Sequence, residues 1–132
     1  MDPARLDAIP AFAGLDSGAR EQLAAAMRES TVEAGATLAK EGDFAYELFA
    51  IEEGDAEVRK DGKLLRTLGT GDVFGEIALL VSGRRTATVV ATSPMRLLGV
   101  FTREFRQIER RAPDAAQALR AVMQQRAAGT GS

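Results

Sequence analysis

The sequence contains no cysteine and no histidine, and each absence excludes several kinds of site. Without cysteine, the chain can form no disulfide, no thiolate metal site and no iron–sulfur cluster of its own. Without histidine, it lacks the most common general base and the most common protein ligand of zinc and haem. The Asp and Glu residues are scattered over predicted turns, so no set of metal ligands is apparent. We therefore predict that the protein is not an enzyme and that it holds no metal and no cofactor.

Long apolar runs and a strong net charge are also absent. No stretch approaches the roughly 18 apolar residues that cross a bilayer as a helix, and residues 1–15 lack the basic-then-apolar order of a signal peptide. The net charge of −2 provides no general attraction to nucleic acid or to an anionic membrane. These absences predict a cytoplasmic protein that by itself binds neither nucleic acid nor a membrane.

The length and the spacing of apolar residues predict one domain that begins with helices. The 132 residues fit a single domain, residues 1–132, with a modest core. Aromatic residues make up only 5% of the chain and tryptophan is missing, so the core must be mainly aliphatic. Residues 1–30 show helical spacing of apolar side chains, with Asp16 or Ser17 as the predicted N-cap of a helix.

The middle of the chain, residues 31–101, has the pattern of a β-protein. Short apolar runs alternate with turn signals, such as Gly-Asp and Ser-Gly, at intervals of roughly eight to twelve residues. This spacing is typical of an all-β sandwich or barrel of short strands. The strongest hairpin signal is Asp61-Gly62, which separates two strand-like runs.

Helical patterning returns in residues 102–128. Thr102 is the predicted N-cap of a first helix, and Pro113 is the predicted start of a second. The predicted fold class is therefore mainly β with flanking helices (α+β): a β-sandwich preceded by N-terminal helices and followed by two C-terminal helices.

One segment, residues 74–88, interrupts the strand pattern. The apolar run after Gly75 predicts a short helix from Glu76 to Leu80, whose N-terminal N–H groups suit an anion. A strand beginning at Arg85-Thr86 could bring a guanidinium and a hydroxyl to the same anion. Because a phosphate would repel the carboxylate of Glu76, that group is better suited to accept a hydrogen bond from a sugar hydroxyl. These features suggest a nucleotide whose phosphate lies close to its ribose, but they are not unique to one, and Glu76 could instead pair with Arg85.

The same residues carry a family resemblance. Phe74-Gly75-Glu76-Ile77-Ala78-Leu79-Leu80, followed by Arg85-Thr86-Ala87-Thr88-Val89, resembles the phosphate-binding cassette of cyclic-nucleotide-binding domains. Such domains occur in bacterial catabolite activators, protein kinase A regulatory subunits and cyclic-nucleotide-gated channels. The upstream Glu41-Gly42-Asp43 and the apolar run that ends at Gly54 follow the family order, so the resemblance covers nearly the whole chain. It implies a β jelly-roll (double-stranded β-helix) sandwich.

The resemblance also implies a role for individual residues. Arg85 would bind the cyclic phosphate with Thr86 and the backbone N–H of Ala78, and Glu76 with the backbone of Gly75 would hold the ribose 2′-hydroxyl. Ile77 belongs to the same cassette. The resemblance further implies apolar strand contacts to the base and a lid from the final helix; the residues concerned are Val58 and Leu68 for the base and Arg120, Met123 and Gln124 as lid candidates.

The resemblance implies a regulatory module whose ligand is cAMP, with cGMP as the alternative because of the Thr86 hydroxyl. Its C-terminal helices would report ligand occupancy to an effector domain or to a second copy in a homodimer. A ligand-independent dimerisation or docking module of the same fold is the competing hypothesis. An enzyme, either a phosphodiesterase or a cupin-like metalloenzyme, would need a metal-ligand set that the sequence does not display.

Overall fold

The computed structural model describes residues 1–13, 15–44, 46–75, 84–111, 113 and 117. Within these ranges the chain begins with two short 3₁₀-helices, Pro3–Ala8 and Pro10–Phe12, and continues with helix α1, Ser17–Ala26. Eight strands follow in the described residues: β1 Arg28–Val32, β2 Thr37–Ala39, β3 Glu47–Glu53, β4 Ala56–Lys60, β5 Lys63–Leu68, β6 Val73–Phe74, β7 Thr88–Ala91 and β8 Met95–Phe101. Helix α2 spans Thr102–Arg111. No helix in the described part of the chain is long and apolar enough to cross a membrane.

The strands form two four-stranded sheets with the orders β1-β8-β3-β6 and β2-β7-β4-β5. Every strand pair within them is antiparallel. The two sheets face each other as a sandwich, and the helices cover the outer face of the first sheet. This arrangement confirms the prediction of a mainly β jelly-roll sandwich with flanking helices.

Two apolar clusters stabilise the three layers. The first joins the helices to the outer face of the first sheet and includes Leu6, Phe12, Leu23, Leu48, Val100 and Phe105. The second lies between the sheets and includes Ile51, Val58, Leu68, Phe74, Val89 and Leu97. Strands β3 and β8 contribute to both clusters, which is why each contains consecutive residues without a charged side chain, 48–51 in β3 and 97–101 in β8, instead of a strict alternation.

Two local predictions are confirmed. Asp16 caps α1, since its Oδ1 accepts a hydrogen bond from the backbone N–H of Ala19 at 2.8 Å. Asp61 and Gly62 form the turn between β4 and β5, with φ angles of +52° and +77°. Positive φ at both central residues is the geometry that favours Asp-Gly in a tight hairpin, because it matches the twist of the paired strands.

Three predicted boundaries are wrong. The helical segment predicted for residues 1–30 ends earlier, because β1 begins at Arg28 and pairs with β8. Helix α2 begins at Thr102 itself, whose hydroxyl donates to the carbonyl of Tyr46 at 3.2 Å instead of capping the helix. The strand predicted to begin at Arg85-Thr86 begins at Thr88. The predicted helix from Glu76 to Leu80, and most of the second C-terminal helix, lie outside the described residues.

Candidate functional site

The backbone of Arg85 is fixed by the turn that precedes β3. Its N–H donates to the carbonyl of Asp43 at 2.8 Å, and its carbonyl accepts from the N–H of Gly42 at 2.9 Å. The neighbouring Arg84 forms an isolated antiparallel bridge with Phe44. These pairings hold Arg85 at the end of the sandwich, between the second sheet and the first residue of β3.

The guanidinium of Arg85 is half-buried and only partly hydrogen-bonded. Nη2 donates to the carbonyl of Glu47 at 3.0 Å, and the ring centroid of Phe49 lies 5.8 Å from Cζ. Nη1 is buried and has no hydrogen-bond partner among the residues that the structure describes. Burial lowers the pKa of Arg85, and the negative charge of Glu47 partly offsets that shift. A buried N–H donor without an acceptor is costly, so this group is suited to an anionic ligand.

Gly75 lies directly against this guanidinium. A Cβ atom placed on Gly75 would be 2.5 Å from Nη1 of Arg85 and 3.0 Å from the carbonyl oxygen of Glu47. Its φ of +93° is also one that side-chain-bearing residues rarely adopt. The structure therefore brings together Gly75 and Arg85, which the sequence analysis had assigned to one anion site.

An open cleft of about 320 Å³ reaches Arg85 between β2 and β3. Its volume falls within the range of small-molecule sites. Its walls come from β2, from the turn before β3 and from β3 itself; the lining residues are Thr37, Leu38, Ala39, Lys40, Asp43, Phe44, Tyr46, Glu47, Phe49 and Arg85. The charged residues of the cleft are two cations, Lys40 and Arg85, and two anions, Asp43 and Glu47.

Val58 and Leu68 lie on the other side of β7 from this cleft. Both are buried between the sheets, on the inner faces of β4 and β5. Arg66 is paired with Val58 across the hairpin and therefore faces the same way; its Nε is buried and has no hydrogen-bond partner in the described ranges. The contact of Val58 and Leu68 with a base stays a prediction.

The remaining predicted residues have different outcomes. Thr86 is half-buried beside Arg85. Glu76, Ile77 and Ala78 lie outside the described residues; so do the lid candidates, Arg120, Met123 and Gln124.

Two neighbours of Arg85 were missed by the sequence analysis. Glu47 contacts the guanidinium through its backbone carbonyl, a contact that no side-chain pattern signals. Phe49 stacks on Phe74 with ring centroids 5.1 Å apart, and it faces the interior between the sheets. Because β3 is apolar at most positions, its sequence does not distinguish the inward-facing Phe49 from Leu48, which faces the helices. Only the register of β3 against β8 separates the two faces.

Comparison with known proteins gives consistent results. A family model described as the cyclic nucleotide-binding domain matches residues 29–112. The cAMP-dependent protein kinase regulatory subunit of Schizosaccharomyces pombe is 38% identical over 93 residues, which cover 70% of this chain and 23% of that protein. The chain spans between 23% and 34% of the length of the first curated relatives that it matches.

Solved structures share the fold. A protein from Geobacter metallireducens superimposes with a TM-score of 0.89 at 21% identity, covering 100% of this chain and 99% of the other, and this likeness shows the fold alone. The regulatory domain of Toxoplasma gondii PKA, in a co-crystal structure with cAMP, superimposes with a TM-score of 0.74 at 32% identity, covering 80% of this chain and 42% of the other. With the family model matching well over half of its length, the chain belongs to the cyclic nucleotide-binding domain family.

Proposed function

We propose that this chain binds a cyclic nucleoside monophosphate at the site formed by Gly75 and Arg85, and that it performs no covalent chemistry on the ligand. cAMP is the first candidate ligand and cGMP the alternative. The membership of the family supports this proposal. It is further supported by the names of two similar proteins, a cAMP-dependent kinase regulatory subunit and a kinase regulatory domain crystallised with cAMP.

The observation that carries the proposal is the unpartnered Nη1 of Arg85. Holding a cation away from water costs free energy unless an anion pairs with it. The carbonyl of Glu47 satisfies Nη2, and the negative charge of Glu47 offsets the burial of the cation only in part. An exocyclic phosphate oxygen at Nη1 would supply both the missing acceptor and the opposite charge. The missing side chain of Gly75 leaves the space beside Nη1 free of a Cβ atom.

The other roles extend this geometry to residues whose contacts with a ligand are expectations. We assign the ribose 2′-hydroxyl to Glu76 and the backbone of Gly75, and further phosphate contacts to Thr86 and the N–H of Ala78, within the cassette that includes Ile77. Val58 and Leu68 would lie against the base. Arg120, Met123 and Gln124 remain the candidates for a lid over it.

We assign a regulatory role to the C-terminal helices, residues 102–128. We place the protein in the cytoplasm. A bound ligand can move these helices only to the extent that it binds their two arrangements with different affinity. The part that receives the signal would be an effector domain, as in the kinase and channel relatives, or a second copy of this chain.

Isothermal titration calorimetry of the purified chain with cAMP and with cGMP tests the proposal. We expect micromolar or tighter binding of at least one nucleotide. Arg85→Met should weaken binding by at least about thirtyfold, because truncating one partner of a buried charged hydrogen bond costs about 2–5 kcal/mol. Arg59→Met is the matched control, since Arg59 pairs with Glu57 on β4 and lies outside the site.

A thermal melt with nucleotide separates this function from the competing one. A ligand that binds only the native state must raise its melting temperature. If millimolar cAMP and cGMP give neither heat nor a shift of the melting temperature, the result contradicts this proposal and favours a ligand-independent dimerisation or docking module. Turnover of either nucleotide by the purified protein would contradict the absence of chemistry.

A further inference from the structure

Four alternating charges connect the anion site to helix α2. Arg85 donates to the backbone carbonyl of Glu47 at 3.0 Å. The carboxylate of Glu47 lies 3.9 Å from the guanidinium of Arg28, and Arg28 lies 3.5 Å from the carboxylate of Glu104. Glu104 is in the first turn of α2, so the series begins at the proposed phosphate site and ends on the helix that leaves the sandwich.

The carboxylate of Glu47 is the acidic group that acts on Arg85. Its charge raises the pKa of Arg85 against the larger, opposite effect of burial. The same charge would repel the phosphate of an approaching nucleotide, because a carboxylate near the guanidinium and a phosphate bound to it are both negative. The availability of Arg85 therefore depends on how completely another cation neutralises Glu47.

Arg28 is the cation placed to do so. Its guanidinium stacks on the ring of Phe101, with Cζ 3.6 Å from the ring centroid, which fixes it beside the start of α2. On β8, the strand between β1 and β3, the backbone of Gly99 lies under the Glu47 carboxylate, and a Cβ atom there would be 2.7 Å from Oε2. The two partners are thus held from opposite sides, at the partly exposed end of the sandwich.

Helix α2 competes with Glu47 for Arg28. Oε1 of Glu104 accepts a hydrogen bond from the N–H of Phe101 at 3.2 Å and also faces Arg28. The same end of α2 is bonded to the residue that precedes β3, since the N–H of Thr102 donates to the carbonyl of Tyr46 at 2.8 Å. Movement of α2 would therefore change the distance between Glu104 and Arg28. The strength of the attraction between Arg28 and Glu47 would change with it.

We propose that Arg28 is a positioning residue: by pairing with Glu47, it keeps the Glu47 carboxylate from neutralising Arg85. Glu104 on α2 also pairs with Arg28 and thereby limits this effect. The proposal rests on the proposed function, because it concerns the affinity of the Arg85 site for a cyclic nucleotide. It assigns a direction to each charge: Glu47 and Glu104 lower the affinity for an anionic ligand, and Arg28 raises it. Arg28 acts through Glu47.

Calorimetry with cAMP and cGMP at low ionic strength, where partly exposed charges are least screened, tests these directions. Arg28→Met should lower affinity about threefold, a size typical of a partly exposed ion pair, and Arg28→Lys should retain most of it. Glu47→Gln should raise affinity by a similar factor, and Glu104→Gln by less. Arg103→Met is the control: Arg103 also lies near Phe101, at 5.8 Å, but has no ion pair in the described structure.

The decisive measurement is the double variant Arg28→Met/Glu47→Gln. If Arg28 acts through Glu47, the double variant binds as tightly as Glu47→Gln alone, and the threefold loss disappears. If Arg28→Met costs the same factor in both backgrounds, or nothing in either, this inference is overturned while the proposed function stands. If the unaltered chain binds neither nucleotide, the proposed function fails and takes this inference with it.

Discussion

The guanidinium of Arg85 occupies the space that a side chain at Gly75 would fill, with Nη1 2.5 Å from the ideal Cβ position. The two residues are ten positions apart in the sequence, and the fold places them side by side. Gly75 provides a backbone without a side chain, and Arg85 provides a cation. The proposed site needs both residues, because the glycine leaves space for the guanidinium and the guanidinium provides the positive charge for an anion.

Gly75→Ala should abolish measurable nucleotide binding and destabilise the fold. The added Cβ would displace Nη1 of Arg85, and the φ of +93° would be strained by roughly 1–2 kcal/mol. Calorimetry measures the first effect and urea denaturation the second. Gly35→Ala is the control, since Gly35 has a φ of +92° with nothing within 4 Å of its Cβ position. Nucleotide affinity equal to that of the unaltered chain in Gly75→Ala would contradict the site.

Arg85→Met should leave the unliganded protein at least as stable as the unaltered chain. The substitution removes a half-buried charge whose Nη1 has no acceptor in the described residues, and it keeps most of the apolar volume. The loss of one hydrogen bond to Glu47 opposes this gain by about 1 kcal/mol. Thermal melting without ligand tests the expectation. A fall of more than about 2 kcal/mol in the free energy of unfolding would show that Arg85 stabilises the fold instead of serving a ligand.

Gly54→Ala should destabilise the fold by about 3 kcal/mol, which combines backbone strain with overpacking. Its φ is +105°, and a Cβ there would lie 2.5 Å from the carbonyl oxygen of Pro94 and 2.9 Å from Cα of Met95. Those atoms belong to the backbone and cannot move aside as a flexible side chain could. Gly62→Ala should cost only about 1 kcal/mol, because Gly62 has a φ of +77° and open space. If Gly54→Ala and Gly62→Ala lower the free energy of unfolding equally in urea denaturation, the close contact at Gly54 does not cause the loss.

The ion pair between Arg5 and Glu29 should stabilise the fold at neutral pH and lose its effect in acid. The hydrogen bond that Arg5 donates at 2.6 Å lowers the pKa of Glu29 below its usual value near 4.5. Because the folded-state pKa is the lower one, the contribution is complete above the unfolded-state pKa and disappears as the pH falls through the folded-state value. Glu29→Gln should therefore lower the melting temperature at pH 7 but not at pH 2.

Glu33→Gln provides the control for this pH series. Glu33 is exposed and has no ion pair among the described residues. The melting temperature of the Glu33→Gln variant should therefore follow that of the unaltered chain at every pH. If Glu29→Gln and the unaltered chain differ equally at both ends of the pH range, the difference does not come from the charge of Glu29.

The elements with local signals were predicted well. The Asp61-Gly62 turn follows from backbone sterics alone, and the cap at Asp16 from one side-chain acceptor at a helix start. The boundaries that failed depend on distant partners. Arg28 joins β1 because β8 is available to pair with it, and Thr102 donates to Tyr46 across the fold instead of capping its own helix. The residues next to Arg28 and Thr102 in the sequence do not indicate that β8 or Tyr46 will be the partner.

The amino-acid sequence by itself determined the mainly β class, the family and the pairing of Gly75 with Arg85 in one cassette, because these depend on local backbone preferences and on a motif of fixed spacing. Only the tertiary structure decided what surrounds the guanidinium: the carbonyl of Glu47, the ring of Phe49 and the series of charges through Arg28 to Glu104. Those contacts join β1, β3 and α2, and their distances depend on the register of strands far apart in the chain. Physical proximity of that kind is set by packing, which no stretch of sequence encodes alone.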